Sequence, residues 1–283
     1  MMKQYVTEHQ SKHLDLTAEA TRILFQGKSE FQDIIVADTP EFGRMLVLDG
    51  VFQTSDKDEF MYHESIVHIP LFLHPHPKHV LIIGGGDGGS AREAVRHACV
   101  ETVTMVDIDG KVIELSKQYF PAISKAMREK NPKLTVKVGD GIAFMQEAEN
   151  FYDVIIVDCS DPVGPGEGLF TSSFYQDTYK ALKEDGLFVQ QTESPFMHRQ
   201  LVHDIFSRVS AIFPISRLYT AYIPLYPTGM HCFTMGSKTY DPLTWQPNRK
   251  RDFSTQYYNE GIQRSAFVLP NFVKDVLYGK KER

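Results

Sequence analysis

The 283-residue chain is 42% hydrophobic and 23% charged, the balance of an ordinary globular protein with room for one principal domain and a smaller attachment. A formal charge of −6 speaks against nucleic acid as a partner, because such binding rests on clustered Lys and Arg. No run of about 18 apolar residues could span a bilayer, and the start "MMKQYVTEHQSKHLDL" has no signal-peptide core.

Three scattered cysteines (Cys99, Cys159, Cys232) without CxxC spacing fit a reducing, cytoplasmic setting better than a disulfide scaffold or zinc knuckle. The histidines show no HExxH spacing. "HPHPKH", from His74, reads as a stiff surface connection with no spacing rule for a metal, and none is expected.

Residues 1–62 read as a small antiparallel β domain. "EFQDIIVADT", "EFGRMLVLDG" and "VFQTSD" are short strands, with a hairpin turn at Asp49-Gly50. From residue 63 to 283 the pattern changes to apolar strands alternating with helices. "HVLIIGGG", "TVTMVDID", "LTVKVGD", "YDVIIVDCS" and "GLFVQQTE" predict buried strands. "SAREAVRHA", "KVIELSKQYF", "GIAFMQEAE" and "SSFYQDTYKALKEDG" predict the helices between them. Such alternation announces an α/β fold with a doubly wound, mostly parallel sheet. The runs "RLYTAYIPLYP" and "MHCFTMGSK" predict an antiparallel hairpin at its edge, and a helical tail covers about 259–278.

Doubly wound sheets bind ligands beyond the carboxyl ends of their strands, so the residues just after each strand carry the chemistry. After the first lies Gly84-Gly85-Gly86-Asp87-Gly88-Gly89, which contains GxGxxG. Bare backbone at Gly84 and Gly86 allows close approach of a ligand. Asp107, eighteen residues past Gly89, is placed to grip ribose hydroxyls, whereas Asp109 is better placed to cap the next helix. After the third strand, Asp140-Gly141 suits either an adenine amine or a helix N-cap. After the fourth comes Asp158-Cys159-Ser160-Asp161 in a loop stiffened by Pro162 and Pro165.

An acid inside a glycine loop is odd if the ligand is an anion. Asp87, Asp158 and Asp161 are expected to face one another across the crevice. Together they would repel phosphate or carboxylate and attract a polyamine.

The segments "GGGDGG", "VDID", "GDG", "VDCSDPVGP" and "IPLYPTG", with "LDGVFQTSDKDEFMYHE" upstream, resemble the spermidine synthases, the polyamine aminopropyltransferases, over nearly the whole chain. The resemblance implies a methyltransferase-like (Rossmann-type) α/β domain behind an N-terminal β domain, assembled as a homodimer or homotetramer. It implies transfer of the aminopropyl group of decarboxylated S-adenosylmethionine, a co-substrate, to putrescine, with no cofactor. By the same resemblance Gln32, Asp107, Asp140 and Gly141 hold the nucleoside, with Pro165 beside it. Asp87 and His63 meet the aminopropyl end. Tyr62, Gln53, Asp161, Gln191 and Tyr226 line the amine channel, with Cys159 and Ser160 in the same loop. Asp158 takes the position of the catalytic base, and Pro162–Gly168 that of a gatekeeping loop.

The chain departs from the family at four points. Asp107 stands for a frequent glutamate, Tyr5 and His231 for frequent tryptophans, and Leu225 for a frequent threonine. Rival readings are an S-adenosylmethionine-dependent amine N-methyltransferase and an aminopropyltransferase for cadaverine, agmatine or spermidine. Further off stand an NAD-dependent dehydrogenase, for which no second mononucleotide half is evident, and a non-catalytic polyamine binder, which has no need of Asp158.

Overall fold

The computed structural model describes residues 3–161 and 164–279, with residues 164 and 165 as backbone only. The chain opens with a hairpin of β1 (Gln4–Ser11) and β2 (Leu14–Ala20), then a four-stranded antiparallel sheet of β3 (Arg22–Lys28), β4 (Asp33–Thr39), β5 (Gly43–Leu48) and β6 (Val51–Ser55) in that order. Period-two alternation gives this sheet two apolar faces. Ile34, Val36, Leu46 and Leu48 pack toward Val112 and Leu115 of the α/β domain, while Ala37, Met45 and Val47 pack under Val6, Ala20 and Leu225. The Asp49-Gly50 turn has φ of +49° and +80°, as a tight two-residue hairpin requires.

Strand gives way to helix at residues 56–58. The helix α1 (Glu59–Leu73) begins ahead of the residue-62 division drawn from composition, so that division falls inside it. The α/β domain continues with β7 (His79–Gly84), α2 (Gly89–Val95), β8 (Thr102–Asp107), α3 (Gly110–Tyr119), α4 (Lys125–Arg128), β9 (Leu134–Val138), α5 (Gly141–Glu147) and β10 (Tyr152–Asp158). There follow α6 (Ser172–Ala181), β11 (Leu182–Gln191), α7 (Arg199–Ser210), β12 (Ile215–Tyr222), β13 (Met230–Ser237), α8 (Glu260–Ser265) and α9 (Asn271–Tyr278).

The sheet order is β12-β13-β11-β10-β7-β8-β9, parallel except for β13, which runs antiparallel to both β11 and β12. Side chains of β7 and β10 alternate between two cores. Val80, Ile82, Val154 and Ile156 join the cluster under α1, and Leu81, Ile83, Ile155 and Val157 join the one under α6 and α7. Both faces are covered, which is why these strands read as unbroken apolar runs.

Two expectations need correction. "LKEDG" does not continue α6. Leu182 already pairs with Tyr152, and the segment enters β11 across a bulge, so sheet pairing overrides its helical composition. His74 is no surface residue either: it is 2% exposed, closes α1 and accepts the His76 N–H through Nδ1.

Candidate active site

Neighbours β7 and β10 form the topological switch point of the sheet, since the chain leaves β7 toward β8 on one side and returns to β10 on the other. Their carboxyl ends are stitched together: Gly85 N–H donates to the Asp158 carbonyl at 2.7 Å. Gly84 sits at φ +82°, and a Cβ there would lie 2.1 Å from that carbonyl oxygen, so the crossing tolerates only glycine.

A cavity of about 190 Å³ opens at this point, roofed by the N-terminal domain. It is lined by Gln32, Gly84, Gly86, Asp107, Asp140 and Gly141 on one side. Gln53, Tyr62, His63, Asp87, Asp158, Cys159, Ser160 and Tyr226 line the other. A smaller chamber of about 50 Å³ shares Gln53, Tyr62, Cys159, Ser160 and Tyr226 with it and continues to Asp161, Gln191, Glu193, His198, His231 and Glu8.

Within the larger cavity Asp107 accepts the Asp109 N–H at 2.8 Å, and burial followed by the Asp109 charge pushes its carboxyl up to about 6. Asp109 takes the capping role expected of it, accepting from Lys111 and Val112 N–H, and also receives Gln32 Nε2 at 2.8 Å. Gln32 therefore reaches the wall with one of its two amide N–H groups already engaged. Asp140 combines its two candidate roles in place: Oδ1 caps α5 through Ile142 N–H at 2.8 Å while the residue lines the cavity. The side chain of Pro165 and residues Pro162 and Val163 of the gatekeeping loop lie outside the described residues. Gly166 and Leu169, further along the loop, border the cavity.

Asp158 stands between hydroxyls. Tyr62 OH donates to Oδ1 at 2.7 Å and Ser90 Oγ to Oδ2 at 2.6 Å. Burial, then the neighbouring Asp87 charge, raises its proton affinity above that of an ordinary carboxylate. One polar atom each of His63, Asp87 and Asp158 lies within 4.8 Å of the others.

The three acids expected around one volume fall into two. Asp161 is not across from Asp87 but in the smaller chamber, against Glu193, because the loop after β10 carries it past the end of the sheet. Burial, then the Glu193 carboxylate, raises the Asp161 carboxyl, because two adjacent carboxylates resist carrying charge together. Glu193 also meets His198 Nδ1 at 3.1 Å. Its Oε1 is buried without a hydrogen-bond donor, and its backbone is held at φ +65°. Glu8 accepts Phe52 N–H at 2.9 Å and a Gln10 amide N–H, and burial pushes it up to about 7. Gln191 donates to the Cys159 carbonyl at 3.1 Å and accepts from His231 Nε2 at 3.0 Å. Burial lowers His231 to about 4, so the ring is neutral. Tyr226 OH donates to the Gln53 carbonyl at 2.9 Å, and Leu225 N–H to Asp58 at 2.7 Å, fixing the loop over the channel. Tyr5 is 55% exposed on the hairpin and lines neither cavity.

Glu8, Glu193, His198 and Ser90 were not singled out from sequence. Glu193 was within reach, since it follows β11 just as the other strand-end acids follow theirs. Glu8 carries no such signal, because "TEHQ" reads as a polar strand edge.

Residues 59–245 match the spermine/spermidine synthase domain model, and residues 4–56 match the spermidine synthase tetramerisation domain model. The chain belongs to this family, the polyamine aminopropyltransferases. A polyamine aminopropyltransferase of Shouchella clausii is 51% identical over 276 residues, covering 98% of this chain and all of the relative. One from Bacillus subtilis is 48% identical with the same coverage. The crystal structure of the Thermotoga maritima spermidine synthase superposes with a TM-score of 0.92 at 40% identity, covering 97% of this chain and 94% of that one. A spermidine synthase crystallised with the transition-state analogue AdoDATO gives 0.94 at the same identity and coverage.

Proposed function

We propose that the enzyme transfers the aminopropyl group of decarboxylated S-adenosylmethionine to putrescine, giving spermidine and 5′-methylthioadenosine. The larger cavity takes the nucleoside between Asp107 and Asp140, with the aminopropyl end at Asp87. The diamine lies along Tyr62, Gln53 and Tyr226, its remote ammonium among Asp161, Gln191, Glu193 and Glu8. The observation that carries the reading is Asp158, which lines the larger cavity beside Asp87 and holds Tyr62, a residue that borders both cavities.

The sulfonium already activates the carbon under attack, so catalysis needs alignment and an unprotonated amine. The amine lone pair forms the C–N bond as the C–S pair returns to sulfur, leaving a neutral thioether. The ammonium proton passes to Asp158, whose raised proton affinity suits a general base. Tyr62 and Ser90 hold both carboxylate oxygens in place for it. The chemistry calls for no metal or other cofactor, and the donor is consumed as a co-substrate.

A tetramer through the N-terminal sheets and a cytoplasmic location complete the proposal. No helix among the described residues is long and apolar enough to cross a membrane.

Incubation with decarboxylated S-adenosylmethionine and a panel of putrescine, cadaverine, agmatine and spermidine, with products weighed by mass spectrometry, tests it. Putrescine should give the highest kcat/KM. Methyl transfer from S-adenosylmethionine, or another amine clearly preferred, would refute the assignment.

A further inference from the structure

Asp87 does not stand alone. Its Oδ2 lies 3.2 Å from Nε2 of His63, whose Nδ1 lies 2.5 Å from Oε2 of Glu59, one turn earlier on α1. Arg92 of α2 grips Glu59 with two prongs, Nη1 to Oε1 and Nη2 to Oε2, each 2.8 Å. Arg92 is itself held through Nε by Glu93 at 2.7 Å. His63 is 2% exposed and Glu59 9%. The remaining oxygen of Asp87 accepts Gly89 N–H at 2.8 Å. A Cβ at Gly89 would come within 2.2 Å of the His63 ring, so glycine is what lets the ring lie against that backbone.

A neutral imidazole has one N–H. Here both ring nitrogens face carboxylate oxygens, which when ionised can only accept. A neutral ring would aim a lone pair at one of them in a buried site, so the ring carries two protons. Charges then alternate along the chain Asp87, His63, Glu59, Arg92 and cancel in pairs.

We infer that Glu59, backed by Arg92, is a positioning residue: it holds His63 as an imidazolium whose second N–H is directed at Asp87, and thereby fixes the carboxylate that receives the aminopropyl nitrogen of the donor. This rests on the proposed function for what Asp87 meets. His63 then has no N–H left to hydrogen-bond the donor and acts on it through Asp87, although its ring borders the cavity. An imidazolium also has no lone pair to offer a metal.

Around His63 stand Glu59 and Asp58 at the start of α1, Tyr62 edge-on beside its ring, Asp87 in the glycine loop and Asp158 at the end of β10, with Arg92 of α2 behind Glu59. Burial works against charging the ring, but Asp87 and Glu59 outweigh it and hold His63 well above its ordinary range.

Full-length Glu59→Gln tests the inference. The kcat/KM for the donor should fall about tenfold or more at neutral pH while the amine KM stays within about twofold. A new ionisation should appear in its pH profile between about pH 6 and 8, with activity kept on the acid side. In ¹⁵N-histidine NMR, wild-type His63 should show both nitrogens protonated from about pH 6 to 9, and the variant ring should titrate. Glu59→Asp should restore the flat profile even at a lower rate.

A neutral wild-type ring, a flat Glu59→Gln profile, or equal losses for donor and amine would overturn the inference. Should Glu59→Gln fail a thermal-melt check of folding, Arg92→Lys decides by the same readouts, with a smaller shift in the same direction expected. The NMR state of His63 is read without substrate, so a failed assignment of the reaction shows up separately, as absent product.

Discussion

On the His63 side of the larger cavity the acids meet side-chain donors: Asp87 meets His63, Glu59 meets Arg92, and Asp158 takes two hydroxyls. In the smaller chamber acids face one another: Asp161 lies against Glu193, one Glu193 oxygen is buried without a hydrogen-bond donor, and Glu8 is held by amide N–H groups alone. Burying a carboxylate without a cation is costly. The smaller chamber therefore suits a cationic ligand, whereas the His63 side of the larger cavity is already organised by its own side chains. Organisation suits the reacting centre, and unmet charge suits recognition of a diamine.

The sharpest way to break this contrast is Asp158→Asn, which keeps the shape and removes the base. The expected loss in kcat is about 10²- to 10⁴-fold, with both substrates bound within a few-fold of wild type by calorimetry. Near-normal turnover would remove Asp158 from the mechanism.

Next come two matched substitutions that should hit opposite substrates. Asp161→Asn should raise the amine KM by about 10- to 150-fold, the equivalent of one charge-assisted hydrogen bond of about 1.5–3 kcal/mol, and leave donor affinity alone. Asp87→Asn should weaken the donor and narrow its advantage over S-adenosylmethionine, whose extra carboxylate no longer meets a like charge. An unchanged affinity ratio between the two nucleosides would show that Asp87 does not discriminate between them.

The smallest expected effect concerns pH. With Glu8 near 7 and Asp161 raised, the empty chamber holds protons that a bound ammonium must displace. The amine KM should therefore fall as pH rises from about 6 to 8, and calorimetry in buffers of different ionisation enthalpy should detect proton release. Stability moves the other way. Glu8 holds its proton more tightly folded than unfolded, so stability declines as pH rises from the unfolded value of about 4.3 through the folded value of about 7. Glu8→Gln should flatten both slopes, the first in kinetics and the second in thermal melts.

The strand-end residues were legible because a fully buried parallel strand announces itself by an unbroken apolar run. The fold rule then places whatever follows it beside the ligand. Asp87, Asp107, Asp140 and Asp158 were all found that way, and Asp109 was recognised as the better helix cap. Glu8 and Arg92 were not, for opposite reasons. Glu8 lies in a strand whose polar alternation reads as surface, and only the docking of β1 against β6 buries it. Arg92 lies in a short helix where Arg beside Glu reads as a solvated face, until α2 packs on α1 and turns the pair inward.

The sequence by itself determined the layered α/β architecture, the switch point and the residue types at its edge, because periodicity and glycine placement are local properties of the chain. Only the tertiary structure decided which acids share a volume, which cation answers each, and that Asp161 belongs to the smaller chamber. Those are matters of distance between segments up to 185 positions apart, such as Glu8 and Glu193. Buried electrostatics depends on that distance and on exclusion of water, neither of which is written in a linear pattern.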